Sequence, residues 1–150
     1  ESVTTSEDLV LPERVDNLNL KSLKSAKGLV FPKNMNANLN LGGLIDTEGL
    51  ILPEKVNNLN LSSLKNIDGL TLPKEINDLN LSSLISVESL VLPKRINNVN
   101  LRRLRNAKEL IFPNEANNID LTCLRNFETI TLARLVNVGH AIKFLFSSTI

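Results

Sequence analysis

Residues 69–92 read Gly69-Leu-Thr-Leu-Pro73-Lys-Glu-Ile-Asn-Asp-Leu-Asn-Leu81-Ser-Ser-Leu-Ile-Ser-Val-Glu-Ser-Leu-Val-Leu92. Counted from Pro73, apolar residues fall at offsets 3, 6, 8, 11, 14, 17 and 19: Ile76, Leu79, Leu81, Leu84, Val87, Leu90 and Leu92. The next proline, Pro93, stands at offset 20. The prolines of the chain are Pro12, Pro32, Pro53, Pro73, Pro93 and Pro113, with spacings of 20, 21, 20, 20 and 20. Self-similarity at such a period is the signature of a solenoid, in which no unit buries its apolar face alone and stacked units share one core.

The expected fold is mainly β, a leucine-rich-repeat-like β-solenoid with short parallel strands. Both L-x-L triplets of a unit alternate as a strand does. The first, Leu70-Thr71-Leu72, ends at proline, which lacks an N–H and closes a strand. The second, Leu79-Asn80-Leu81, follows an Asn/Asp pair, and such residues accept left-handed backbone and make corners. Gly28, Gly49 and Gly69 precede the first triplet as a further turn signal. One set of strands is therefore expected at each triplet. About seven coils at roughly 4.8 Å each give a rod roughly 30–35 Å long.

The whole chain, 1–150, reads as a single repeat domain. Residues 1–11 are a partial first coil, with Ser6 in a slot usually held by Ala, Val or Ile. Residues 12–132 are regular coils. One extra residue among Asn36, Ala37 and Asn38 marks a surface corner that tolerates insertion. Residues 133–150 are a degenerate capping coil. There Ala133 replaces proline and the phase continues through Val136, Gly139, Ala141 and Phe144. Ala141–Phe146 is the one stretch left open for a short helix. The chain begins at Glu1 rather than Met, as expected of a fragment or processed form.

Composition narrows the function classes. The net charge of +1 provides no overall field for nucleic acid or membrane. No window is long and apolar enough to span a bilayer, so membrane insertion is not expected. The lone Cys123 has no internal disulfide partner. His140 is the only histidine, which argues against serine triads and His-rich metal sites. Gly42-Gly43 lacks the strand–loop–helix setting of a phosphate loop. Asp46, Glu48, Glu54 and Asp68 are scattered over coil surfaces. The expectation is a non-enzyme with no cofactor, no metal and no catalytic residue.

The outward residues carry what remains. A solenoid stacks the middle of the first triplet into a β-branched stripe: Val10, Val30, Ile51, Thr71, Val91 and Ile111, with Thr131 beyond. The charged residues Glu13, Lys33, Glu54, Lys74 and Lys94 follow the prolines and form a rim. Together these residues are the expected partner-binding face, with β-propensity alone as the bland account of the stripe. A polar stripe runs through Asn19, Asn40, Asn60, Asn80, Asn100 and Asp120, expected to hydrogen-bond as a side-chain ladder. A secondary basic patch comprises Arg95, Arg102, Arg103 and Arg105. Nucleic acid is disfavoured as its partner, because every Phe but Phe146 falls in a core slot and none is left to stack on bases.

The run L-x-L-P-x-x-V/I-x-x-L, with apolar residues at offsets 11, 14 and 17, resembles the BspA-like leucine-rich repeat. Its period is also similar to that of the leucine-rich repeats of bacterial secreted effectors. The resemblance covers residues 9–132. Leu23, Leu44, Leu64, Leu84, Leu104 and Leu124 depart from it, standing where common leucine-rich repeats have Asn. The resemblance implies a bacterial ligand-binding solenoid, an adhesin at the cell surface or a virulence effector secreted into a host cell, that binds a protein. A homodimer through the stripe is the competing occupant of that face. A structural spacer or assembly repeat of a larger protein is the alternative function, and a nucleic-acid or carbohydrate binder a third class.

Overall fold

The computed structural model describes residues 6, 9–33, 35–131 and the backbone of 142–144. They form a parallel β-solenoid of about six turns with no helix. Seven strands stack into a long wall: β1 (Asn17–Asn19), β2 (Asn38–Asn40), β3 (Lys55–Asn60), β4 (Glu75–Asn80), β6 (Arg95–Asn100), β8 (Glu115–Leu121) and β10 (Ile142–Phe144). Three stack into a short wall: β5 (Ser86–Val91), β7 (Asn106–Ile111) and β9 (Asn126–Thr131). Every pairing is parallel, and the regular coils stay in register at the proline period, as in Leu59↔Leu79 and Leu90↔Leu110.

Each six-residue strand bends at its middle. In β4, Ile76 and Leu79 point inward although they are three apart, and Asn77 and Asp78 between them both face out. The ladder skips a pair at this point, passing from Val56↔Ile76 to Asn58↔Asp78. The Asn/Asp pair is thus the corner that its backbone tolerance leads one to expect.

The strand then ends in a turn that closes itself. The Oδ1 of Asn60, Asn80 and Asn100 accepts the N–H two residues on, at 3.0, 3.0 and 3.2 Å. Asn19, Asn40 and Asp120 do the same. A β-turn follows, with Leu64 N–H donating to Leu61 C=O at 3.2 Å and Leu84 N–H to Leu81 C=O at 3.0 Å. The polar stripe is therefore mainly a column of Asx turns. Among its described rungs, only Asn60 Nδ2 to Asn40 Oδ1 is a side-chain ladder bond. Gly42-Gly43 also has a packing cause. A Cβ on Gly43 would sit 1.9 Å from the Lys21 carbonyl oxygen, so this coil approaches its neighbour too closely for a side chain.

The inward slots make one core from Leu20 to Leu124. The leucines that replace the customary Asn, Leu23, Leu44, Leu64, Leu84 and Leu104, are all fully buried. Ser6 is buried in its apolar slot, and its hydroxyl donates to the Lys27 carbonyl, which satisfies it.

Four expectations are corrected. The extra-residue corner is only partly at the surface: Asn36 is exposed and Asn38 half-buried, but Ala37 is buried. Phe127 is 49% exposed instead of filling a core slot; among the described residues β9 is the end strand of the short wall. Ile142–Phe144 is strand, not helix, and pairs Ile142↔Ile119 and Phe144↔Leu121. That pairing spans 23 residues, since 144 less 121 is 23, so the last coil runs three residues longer than the proline phase. Val136, Gly139, His140, Ala141 and Phe146 lie outside the described residues.

The fourth correction concerns the first triplet. It is strand at β5, β7 and β9, but in the three preceding coils it forms only the single bridge Val30↔Ile51. The cause is local. Gly28, Gly49 and Gly69 have φ of 81°, 70° and 80°, which puts a turn where Ser89, Glu109 and Thr129 continue a strand. That turn is closed by Leu29 N–H to Ala26 C=O, Leu50 to Thr47 and Leu70 to Ile67, at 2.9, 3.1 and 2.9 Å. Positive φ at the third turn residue calls for glycine.

Candidate interaction surface on the short-wall side

The β-branched stripe exists as a physical row. Val91↔Ile111↔Thr131 are in register across β5, β7 and β9, and Val30↔Ile51 are bridged below them. Val10 is 90% exposed, Val30 77%, Ile51 76% and Val91 55%. Thr71 and Thr131 are exposed and Ile111 is half-buried. An alternating strand turns its middle residue away from the core when its neighbours turn in, and Leu29, Leu50, Leu90 and Leu110 do turn in.

The charged rim is also assembled. Glu13, Lys33, Glu54, Lys74 and Lys94 are all exposed, and Lys74 Nζ lies 3.2 Å from Glu54 Oε2. The neighbouring column pairs in the same way, Lys55 with Glu75 at 2.8 Å and Arg95 with Glu115 at 3.2 Å. Lys108–Glu88 and Lys27–Glu48 pair further round the coil, at 3.4 and 3.5 Å. All these groups face solvent, so each pair contributes only about 0–1 kcal/mol.

The basic patch divides. Arg95 belongs to the ion-pair column at the start of the long wall. Arg102, Arg103 and Arg105 stay together and exposed, around the β-turn Leu101–Leu104. No group of three His, Cys, Asp or Glu side chains converges among the described residues. Cys123 is a free, half-buried thiol.

Two features escaped the sequence reading. Ile45 and Ile85 are exposed just after the β-turn, at a position outside the seven inward slots; counting offsets from the prolines would have found them. The second feature is a cleft of about 730 Å³ between the Leu70–Pro73 and Leu90–Pro93 segments, rimmed by Lys74 and Lys94. It opens where the glycine turns give way to β5. On the long wall a shallower groove of about 420 Å³ runs between the Asn58 and Asn60 columns.

No protein-family model matches this chain, and searches of curated proteins and of solved structures returned no match.

Proposed function

We propose that the chain is a non-enzymatic interaction module that binds a protein partner through the short-wall face. The observation that carries this reading is the exposed β-branched row from Val10 to Val91, at 90% to 55% exposure. An exposed apolar row, broken only at Thr71 and rimmed by charge, has the anatomy of a protein interface. The resemblance of the L-x-L-P-x-x-V/I-x-x-L run to BspA-like and effector-type leucine-rich repeats supports a bacterial surface or secreted setting for it.

The paired substitution Val30→Glu with Val91→Glu tests the reading. Both side chains are exposed, so the fold should persist by circular dichroism. Proteins co-isolated with the wild-type chain, quantified by mass spectrometry, should be lost from the double variant. Retention of the same set would refute it. Light scattering on both proteins identifies the case in which the face is covered by a second copy.

A structural spacer is the second reading, favoured by the uniformity of the Asx-turn and ion-pair columns from coil to coil. A spacer would show no dependence on Val30 or Val91.

A further inference from the structure

The short-wall side has a seam. Where its strands stack, each coil donates to the next: Leu92 N–H to Ile111 C=O and Phe112 N–H to Thr131 C=O, both at 3.0 Å. One coil earlier the corresponding donor is Leu72 N–H and the acceptor Val91 C=O. Among the described residues these two groups do not bond, and β5 pairs only with β7. β5 thus has a free edge, although the long wall across the same coils is continuous through β3, β4 and β6.

We propose that this seam is a docking cleft for an extended peptide segment of a protein partner. The segment lies parallel to β5, with apolar residues at alternate positions followed by one acidic residue. The proposal rests on the interaction-module reading only in taking the partner to be a protein.

Three observations define the occupant. The first is backbone chemistry. Unpaired N–H and C=O groups on a strand edge accept an added strand. Val91 presents such an edge, and Leu72 presents unpaired groups across the gap. The second is shape and polarity. The cleft of about 730 Å³ is flanked by Leu70, Leu72, Leu90 and Leu92, and its size lies within the roughly 300–1,000 Å³ of sites that bury a ligand. Its far end is closed, because Asp68 Oδ1 accepts the Glu88 N–H at 3.0 Å.

The third is charge. The post-proline column alternates through Glu13, Lys33, Glu54 and Lys74, then fails at Lys94. Lys74 pairs with Glu54 at 3.2 Å, and among the described residues Lys94 makes no ion pair. The break in alternation coincides with the open seam. A carboxylate carried just past an apolar triplet would lie between Lys74 and Lys94, following the order of the chain's own Ile51-Leu52-Pro53-Glu54. That order requires the parallel direction, with the acid at the C-terminal end of the segment.

The test uses a capped, dye-labelled peptide, Gly-Leu-Ile-Leu-Pro-Glu, the sequence of residues 49–54, and a second with Lys in place of Glu. Fluorescence polarisation against the full chain should show the Glu peptide binding at least about tenfold more tightly. In Lys94→Glu, an exposed substitution, the preference should reverse. Amide exchange at Leu72 and Val91 should slow when the Glu peptide is bound. Equal binding of the two peptides, no binding at millimolar concentration, or an unchanged preference in Lys94→Glu would each overturn the proposal. Val30→Glu lies outside the cleft and should leave peptide binding intact. If the peptide fails while Val30→Glu with Val91→Glu still strips a partner, the cleft falls and the interaction face stands.

Discussion

The first three coils and the last three share a long wall and a core, yet differ on the short-wall side. In the early coils Gly28, Gly49 and Gly69 turn the chain at positive φ; Leu29, Phe31 and Leu50 after them are buried, but Leu52, Leu70 and Leu72 stay half-open. In the later coils Ser89, Glu109 and Thr129 hold the same place, the strand bends there without leaving its ladder, and Leu90, Leu92 and Leu110 are buried. The apolar slots are equally filled in both halves. One backbone position per coil therefore decides whether a wall is a hydrogen-bonded sheet or a row of separate turns.

Core truncation sharpens the contrast most. Leu110→Ala removes a fully buried side chain and should cost about 2–5 kcal/mol in urea denaturation. Leu70→Ala, half-exposed at the seam, should cost under about 1.5 kcal/mol. Equal losses would mean that the two halves are packed alike.

Exchanging the deciding residues comes next. Gly69→Val places a branched side chain at φ 80° and should cost roughly 1–2 kcal/mol. Glu109→Gly loosens a strand interior and should cost roughly 0.5–1 kcal/mol. Native-state amide exchange reads the same difference without mutation. The Leu92 and Phe112 amides, bonded at 3.0 Å, should be protected well beyond Leu72. Comparable protection would show the seam to be closed in solution.

The smallest effect belongs to the surface columns. Lys55→Ala breaks the 2.8 Å pair with Glu75 in the early half, and Arg95→Ala the 3.2 Å pair with Glu115 in the later half. Both should shift stability by less than about 1 kcal/mol, and less still in high salt. A larger cost in either half would show that the columns do more than decorate the rod.

Most of the coil was legible because its determinants are local and repeat. The six prolines set the phase, the Asn/Asp pairs set the bend, and the inward slots follow by counting. The same counting, applied to the outward positions, gives the β-branched stripe. Three things were less accessible. The glycines announced turns, but their consequence, loss of pairing between neighbouring coils, is a relation between segments some twenty residues apart. The last coil loses its proline marker at Ala133, so its three-residue shift became visible only through the pairing of Ile142 and Phe144. The cleft is a missing interaction, and a pattern of present residues does not display one, although the broken charge alternation at Lys74 and Lys94 stands beside it.

The Asx turns have a consequence for length. Each coil closes this turn with its own Asn or Asp oxygen, while the Asn/Asp corner before it bonds from coil to coil, as Asn38 Nδ2 donates to Asn17 Oδ1 and Asn98 Nδ2 to Asp78 Oδ1, both at 2.6 Å. The ladder register steps by 20 residues from β2 to β8, as from Leu59 to Leu79, after a step of 21 between β1 and β2. The molecule is thus a string of interchangeable cassettes. A cassette copied or deleted at the proline boundary lengthens or shortens the rod by one rung and leaves the rest in phase. The seam behaves as a bookmark in that string. It lies where the glycine cassettes give way to strand cassettes, so the number of glycine cassettes before it sets how far along the rod the mark falls.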